Sequence, residues 1–294
     1  MLSLLTALLM SGPTPAPPPP LGSAAFLASK EAQADENWRQ LDLNKVIEMR
    51  TESGTVIIEL AHKYGGFVSA ERIGQLASAG AFDDGTVDRV QENYVVQWSA
   101  ASPASEWSNL EPEFWWTREH FQQNFVSVPF SDSYAPQVGF SDGFPMARDG
   151  EAAWYAHCYG MVGIGRGAEA GDANGTELYV VIGQAPRHLD RNIALVGRVV
   201  KGMENLTSLP RGNGELGFYT DAQKKPRILS FRRGGDIPEA ERESLEIMRT
   251  DTPAFGKWVA ARANRATDGW FTYSHGAIDL CNIPVPVREV TDEE

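Results

Sequence analysis

A succession of short β-rich runs, cut apart by glycine, aspartate and proline turns and lacking any strand–helix–strand rhythm, dictates more about this fold than anything else in the chain. The runs are 45–50 (KVIEMR), 55–60 (TVIIEL), 87–98 (VDRVQENYVVQW), 160–165 (GMVGIG), 177–183 (ELYVVIG), 193–200 (IALVGRVV) and 226–232 (PRILSFR). Parallel strands need crossover helices, which are missing here, so the runs point to a closed, mainly antiparallel β structure and not to a doubly wound sheet. The first two are joined by TESG, a hairpin signal in which Gly54 is free to take a positive φ. Phe67, Val68, Ile73, Leu76 and Ala77 follow helical spacing, with Gly80 as a stop. A second short helix is expected over 201–209, between Gly202 and Pro210.

Two regions have a different texture. Residues 99–157 combine an aromatic-heavy stretch, EWSNLEPEFWWTREHFQQNF, with the turn-rich SDSYAPQVGFSDGFPMARDG, and read as a long decorated loop. Its Trp107, Trp115, Trp116 and Phe121 suit either a satellite core or an extended binding groove. Beyond Gly235, the segments 237–249 (IPEAERESLEIMR) and 252–265 (TPAFGKWVAARANR) carry helical apolar spacing, so a helical C-terminal extension is expected, ending in an extended segment over 277–290. The organisation is thus a signal-like segment and Pro-rich linker at 1–22, a lead-in at 23–44, a main domain at 45–234 carrying the 99–157 insertion, and the extension at 235–294.

A chain of 294 residues, 42 % of them apolar, can bury a full core. Its formal charge of −13 argues against nucleic acid as a partner, because neutralising phosphates needs clustered Lys and Arg. The opening MLSLLTALLM is an apolar run well short of the roughly twenty residues of a membrane span. Its length fits an export signal, and a periplasmic or secreted location is expected from it. It has no Lys or Arg, however, so a mis-chosen start or plain disorder, with a cytoplasmic location, stays open. Cys158 and Cys281 are compatible with one disulfide if the protein is exported. A metal site would have to recruit His157 and His275 as well, without any short Cys/His ligand spacing, and neither a metal nor a cofactor is expected.

The order of pieces from Val46 to Arg232 resembles the cyclophilins, the β-barrel peptidyl-prolyl isomerases. The family pattern "Y-D-G-x-x-F-H-R-V-…-F-M-x-Q-G-G" is met by Phe82-Asp83-Asp84-Gly85-Thr86-Val87-Asp88-Arg89-Val90 and Tyr94-Val95-Val96-Gln97. "N-G-S-Q-F-F-I" is similar to Asn174-Gly175-Thr176-Glu177-Leu178-Tyr179-Val180, and "L-D-G-K-H-x-V-F-G-x-V-x-x-G-M" to the stretch from Leu189 to Met203. The resemblance implies a closed antiparallel β-barrel capped by short helices. It also implies an isomerase that assists protein folding as a monomer, acting on proline-containing segments of unfolded or extended proteins.

Alone, an arginine in a strand is more often a surface or edge residue; within these blocks Arg89 matches the arginine that stabilises the twisted X-Pro amide. Gln97 matches the glutamine that orients it. Tyr94, Val95, Tyr179 and Leu189 match the walls of the proline pocket, and Gly165 and Arg166 the strand that docks the substrate backbone. His188, where the family often has Trp, falls at the rim or in a half-exposed loop. Because that indole is a drug contact in the family, weak cyclosporin binding is expected. Three further departures bear on activity: Asp88 replaces the family histidine, Trp98 replaces a glycine, and Glu177 replaces a glutamine; if its strand faces Arg89, the Glu177 carboxylate could pair with the guanidinium and either pre-orient it or hold it away. A catalytically weak or inactive peptide-binding module is the alternative. A Ser-His-Asp hydrolase is poorly supported, since no G-x-S-x-G occurs.

Overall fold

The computed structural model describes residues 23–62, 67–102, 104–117, 125–265 and 270–290. The signal-like segment, the Pro-rich linker and Phe121 lie outside the described residues. The chain enters through two short helices, α1 (Ser23–Leu27) and α2 (Lys30–Gln33), and an outer strand β1 (Trp38–Gln40). The expected hairpin follows as β2 (Val46–Thr51) and β3 (Gly54–Leu60), with Thr51 opposite Gly54 at the turn. Helix α3 (Phe67–Ser78) buries Ile73, Leu76 and Ala77 and leads to β4 (Thr86–Val90) and β5 (Val95–Ser99).

Residues 99–157 are not a loop. They build their own antiparallel sheet from β6 (Trp116–Thr117), β7 (Val126–Ser127), β8 (Gln137–Ser141), β9 (Phe144–Arg148) and β10 (Ala152–Tyr155), in the order β6-β10-β9-β8-β7. The turn-rich appearance of this stretch comes partly from Asp142-Gly143, whose positive φ values of 49° and 89° close the β8–β9 hairpin. Phe140, Phe144, Met146 and Trp154 join the same core as the barrel, as does most of the aromatic content: Trp116 is buried and Trp107 packs against that core, while Trp115 is exposed.

The chain then returns as β11 (Met161–Ile164), β12 (Glu177–Val181) and β13 (Leu195–Lys201), the short helix α4 (Met203–Thr207) and β14 (Ile228–Arg233). Eight antiparallel strands run in the order β14-β2-β3-β13-β11-β12-β5-β4. The two edges meet where Val87 N–H donates to Pro226 (2.9 Å) and Ile228 N–H donates to Gly85 (2.9 Å), which closes the sheet into a barrel and leaves no long open edge. Inward residues such as Ile58, Val87, Val96, Trp98, Leu178, Val196 and Phe231 fill it.

In the extension, residues 253–263 form the expected helix, α5 (Pro253–Ala263), capped by the Thr252 hydroxyl. The segment IPEAERESLEIMR departs from its helical spacing: it contains β15 (Leu245–Met248), paired on one side with β1 and on the other with β16 (Val287–Glu289). Backbone pairing on both sides, with Leu245, Ile247 and Met248 buried, outweighs a modest local helical preference. The outer sheet is held to the barrel by Glu59, 1 % exposed, which accepts from Arg39 (2.6 Å) and Arg198 (3.0 Å). Arg39 also donates to the Asp142 carbonyl (2.7 Å), so one buried carboxylate ties β1, β3, β13 and the insertion hairpin together. Among the described residues no helix is long and apolar enough to cross a membrane.

Candidate active site

Arg89 reaches the outer face of the barrel because of a β-bulge. Val87 pairs with Trp98 and Arg89 with Gln97, which leaves Asp88 as the extra residue on β4. In a regular strand residues 87 and 89 point the same way. The bulge lets Val87 and Val90, both 0 % exposed, enter the core while Arg89 turns out beside Gln97. Asp88, at the family's histidine position, is engaged away from the guanidinium by the Thr86 hydroxyl (2.9 Å) and Lys225 (3.0 Å).

Cross-strand pairing then sets Arg89, Gln97, Tyr179 and Gly163 in one row across β4, β5, β12 and β11. Next to this row Val95, Tyr179 and Val181 make a small apolar cluster, separate from the barrel core, with Tyr94 and Ile193 packed on it. The alternate residues Val96, Trp98, Leu178 and Val180 go into the barrel, so the Trp98 indole does not crowd this face.

The guanidinium of Arg89 is firmly placed. Its Nε donates to the Leu216 carbonyl (2.7 Å), Nη1 to Gln97 Oε1 (3.3 Å) and Nη2 to the Gln91 side-chain carbonyl. It lies over the rings of Tyr94 (5.5 Å) and Phe218 (5.3 Å). Burial lowers its pKa and the Tyr94 phenol opposes that, but an arginine keeps its proton at any relevant pH. Gln97 in turn donates from Nε2 to Glu177 Oε2 (3.2 Å). The Arg89–Glu177 pairing considered from sequence is therefore replaced by a relay, because β5 lies between β4 and β12 and puts Gln97 between the two charges.

Gly165 sits against this relay: a Cβ there would lie 3.0 Å from the Glu177 side chain and 3.6 Å from Gln97 Nε2. His188 is exposed, with its ring parallel to Tyr94 at 6.5 Å between centroids. Two of the expected site residues are elsewhere. Arg166 turns onto its own loop, donating to Asn192 (3.1 Å) and Gly167 (2.9 Å) carbonyls, and Leu189 stays half-buried in the 187–189 turn while Ile193 packs on the apolar cluster. The contacts that sequence reasoning missed are Gln91, Leu216 and Phe218. The last two belong to a segment tied to β4 by Tyr219 N–H to Asp88 (2.9 Å) and Gly212 N–H to Val90 (3.1 Å). Gly217, with φ 81°, permits that approach, since a Cβ would meet Gln91 Cα at 2.7 Å. A cavity of about 330 Å³ lined by Leu41, Val46, Ile57 and Leu245 lies between barrel and outer sheet and shares no residue with this face.

Behind Tyr179 lies a buried polar network. The Tyr179 hydroxyl is 2.9 Å from His157 Nε2, and His157 Nδ1 is 2.9 Å from Asp190 Oδ1. Asp190 also accepts from the His157 backbone N–H (2.9 Å), Trp154 Nε1 (3.1 Å) and Arg187 Nε (2.6 Å), and Arg187 bridges on to Asp132 (2.9 Å). A carboxylate only accepts, so Nδ1 carries the proton, Nε2 accepts, and the tyrosine hydroxyl donates.

Burial pushes the His157 pKa down, against the opposing pull of Asp190. Burial alone would raise the Asp190 pKa, but His157 and Arg187 outweigh it and hold the carboxyl below its ordinary range. Folding thus keeps His157 neutral where an unfolded imidazole, of ordinary pKa 6.5, binds a proton. Stability is full above that value and falls on acidification at about 1.4 kcal/mol per pH unit until the folded imidazole protonates. Asp190 adds a loss at lower pH, below the ordinary carboxyl range. Thermal melts across the acid range are expected to show this decline, and His157→Gln to remove its upper part; an equal decline in the variant would contradict it.

The Tyr179 ring lies over Gly163, where a Cβ would sit 2.3 Å from the phenol oxygen. Gly163→Ala is expected to displace the ring at a stability cost of about 1–3 kcal/mol, and to weaken peptide binding, read by denaturant titration and by calorimetry. Unchanged values in both would show that the ring has room to spare.

Residues 46–232 match the family model for the cyclophilin type peptidyl-prolyl cis-trans isomerase/CLD. The crystal structure of cyclophilin AquaCyp293 from Hirschia baltica is similar, with a TM-score of 0.71 and 22 % identity, covering 90 % of this chain and 99 % of that one. That likeness takes in the fold well beyond the barrel. A cyclophilin type peptidyl-prolyl cis-trans isomerase of Cryptosporidium parvum aligns at 12 % identity and a TM-score of 0.42, over 64 % of this chain and 96 % of that one. No curated protein matches the chain. On the match across residues 46–232, the chain belongs to the cyclophilin-type peptidyl-prolyl cis-trans isomerase family.

Proposed function

We propose that this chain accelerates cis–trans isomerisation of X-Pro bonds in unfolded or extended proteins, with Arg89 as the catalytic residue. Amide resonance opposes the rotation with a barrier of about 18–20 kcal/mol. As the amide twists, the prolyl nitrogen regains its lone pair. A fixed cationic donor aimed at that nitrogen binds the twisted state more tightly than either planar isomer. The observation that carries this reading is the bulge-directed Arg89 beside the Tyr94, Val95 and Tyr179 cluster, its fork held by Gln97, Gln91 and Leu216 with further Nη protons uncommitted by those bonds. The apolar neighbours strengthen its field by excluding water. The reading is tested by the exchange rate of an Ala-Pro peptide with intact protein and with Arg89→Ala.

A second reading, a peptide-binding module with little or no catalysis, draws on the same placement. Each nitrogen of the fork already has a protein acceptor, and the Tyr94 and Phe218 rings lie against it. Exchange without acceleration, together with retained peptide binding, would select the module.

The Cys158–Cys281 disulfide supports the reading of an oxidising site of action, in the periplasm or outside the cell. Cyclosporin is expected to bind weakly, because exposed His188 offers less apolar area than an indole. Tight binding by calorimetry would contradict this.

A further inference from the structure

The barrel alone does not supply the polar groups that fix Tyr179. His157 lies just beyond β10, at the end of the insertion, Trp154 is on β10, and Asp132 is between β7 and β8. Asp190 and Arg187 belong to the turn between β12 and β13. The His157 side chain is almost wholly buried, those of Asp190, Arg187 and Asp132 are 6 %, 4 % and 3 % exposed, and every one of them is hydrogen-bonded. The chain of contacts ends on a single atom of the apolar cluster, the Tyr179 hydroxyl, and the His157 and Tyr179 rings are parallel to within 8°. A phenylalanine would fill the same slot over Gly163 but would leave His157 Nε2 without its donor.

We propose that His157, oriented by Asp190, is a positioning residue that sets the angle and depth of the Tyr179 ring and thereby the affinity of this face for a proline side chain. The inference rests on the prolyl-peptide reading of the Arg89 face, but it concerns binding and not rate. It makes the insertion part of the binding apparatus although the insertion need not touch the peptide. A ring held at one edge by Gly163 and at its hydroxyl by an immobile imidazole presents one orientation, and pre-organisation of that kind raises affinity by removing the cost of ordering on binding.

The groups facing His157 are Asp190 and Arg187, with Asp132 behind Arg187, His188 on the same turn, and Tyr179 on β12. When the imidazole takes up a second proton, Nε2 becomes a donor and the Tyr179 hydroxyl loses its acceptor. Affinity therefore falls on acidification in the wild-type protein.

The test is calorimetric titration of the full chain with an Ala-Pro peptide at neutral pH and at falling pH below the ordinary imidazole range, as far as circular dichroism shows the protein folded. Tyr179→Phe and His157→Leu are each expected to raise Kd about three- to tenfold at neutral pH, and the double variant no further than the worse single. His157→Gln offers N–H donors and a carbonyl acceptor without titrating, so it is expected to bind more tightly than His157→Leu at neutral pH and to lose the acid dependence. Folded single variants within twofold of wild type, an additive double variant, or an acid dependence that persists in His157→Gln would overturn the proposal. Should the wild type bind the peptide without accelerating its exchange, the catalytic reading fails, while the Kd comparison still decides this one.

Discussion

Arg89→Ala is expected to lower the rate of catalysed X-Pro exchange by about 100- to 1000-fold, the loss typical of removing one fixed donor that acts on charge developing in the transition state, while peptide binding is expected to weaken far less. The reason for the split is geometric. The apolar cluster of Val95, Tyr179 and Val181, with Tyr94 and Ile193, does not depend on the guanidinium for its packing, whereas the twisted amide has no other fixed cation in this row. Arg89→Lys is expected to fall nearly as far, since one ammonium cannot satisfy Gln97, Gln91 and the Leu216 carbonyl and still face a substrate nitrogen. NMR exchange on an Ala-Pro peptide measures the rate and the same samples give Kd. Equal loss of both in Arg89→Ala would mean that the arginine shapes the binding face and does not act on the twisted state.

Reducing the Cys158–Cys281 bond is the largest expected change in stability. The two cysteines are 123 residues apart in sequence and their Cα atoms 4.8 Å apart. By chain entropy, opening a loop of that length costs up to about 4–5 kcal/mol. Cys158 directly follows His157, and Cys281 lies in the turn after α5, so the bond staples the extension beside the network that holds Tyr179. Urea titration with and without reductant, and of Cys281→Ser, is expected to show a lower midpoint in both cases. An unchanged midpoint after confirmed reduction would mean that the packing of α5 on the insertion, through the Phe140–Phe255 contact at 5.2 Å, is enough to hold the extension.

What could be read from the sequence follows from how local its cause is. Most barrel strands were legible as β-rich runs, but 87–98, read as one run, is the two strands β4 and β5. Trp98, read as a departure bearing on activity, alternates with Val96 into the barrel while Val95 and Gln97 face out. The grouping of Arg89, Tyr94, Val95, Gln97 and Tyr179 came from ordered family-like blocks, and the alternation of β5 and β12 keeps those side chains on one face. The bulge at Asp88 was not legible, because a plain period of two sends Arg89 inward with Val87.

The insertion sheet was hidden by strands as short as two residues, Trp116–Thr117 and Val126–Ser127, although Asp142-Gly143 between apolar runs was a readable hairpin signal. In 237–249, helical spacing was real but lost to pairing with β1 and β16, partners distant in sequence. The directions of Arg166 and Leu189, and the partner of Glu177, were not legible for a related reason. They are set by loop carbonyls, a short turn and the intervening Gln97, none of which a residue-by-residue match encodes. His157 and Asp190 could have been flagged as an imidazole and a carboxylate, but their meeting depends on the fold of the insertion.

The most direct measurement is two-dimensional exchange spectroscopy on an Ala-Pro peptide with a catalytic amount of the intact, disulfide-bonded protein. The expected result is fast cis–trans exchange that disappears with Arg89→Ala; peptide binding with exchange no faster than in free solution would contradict it.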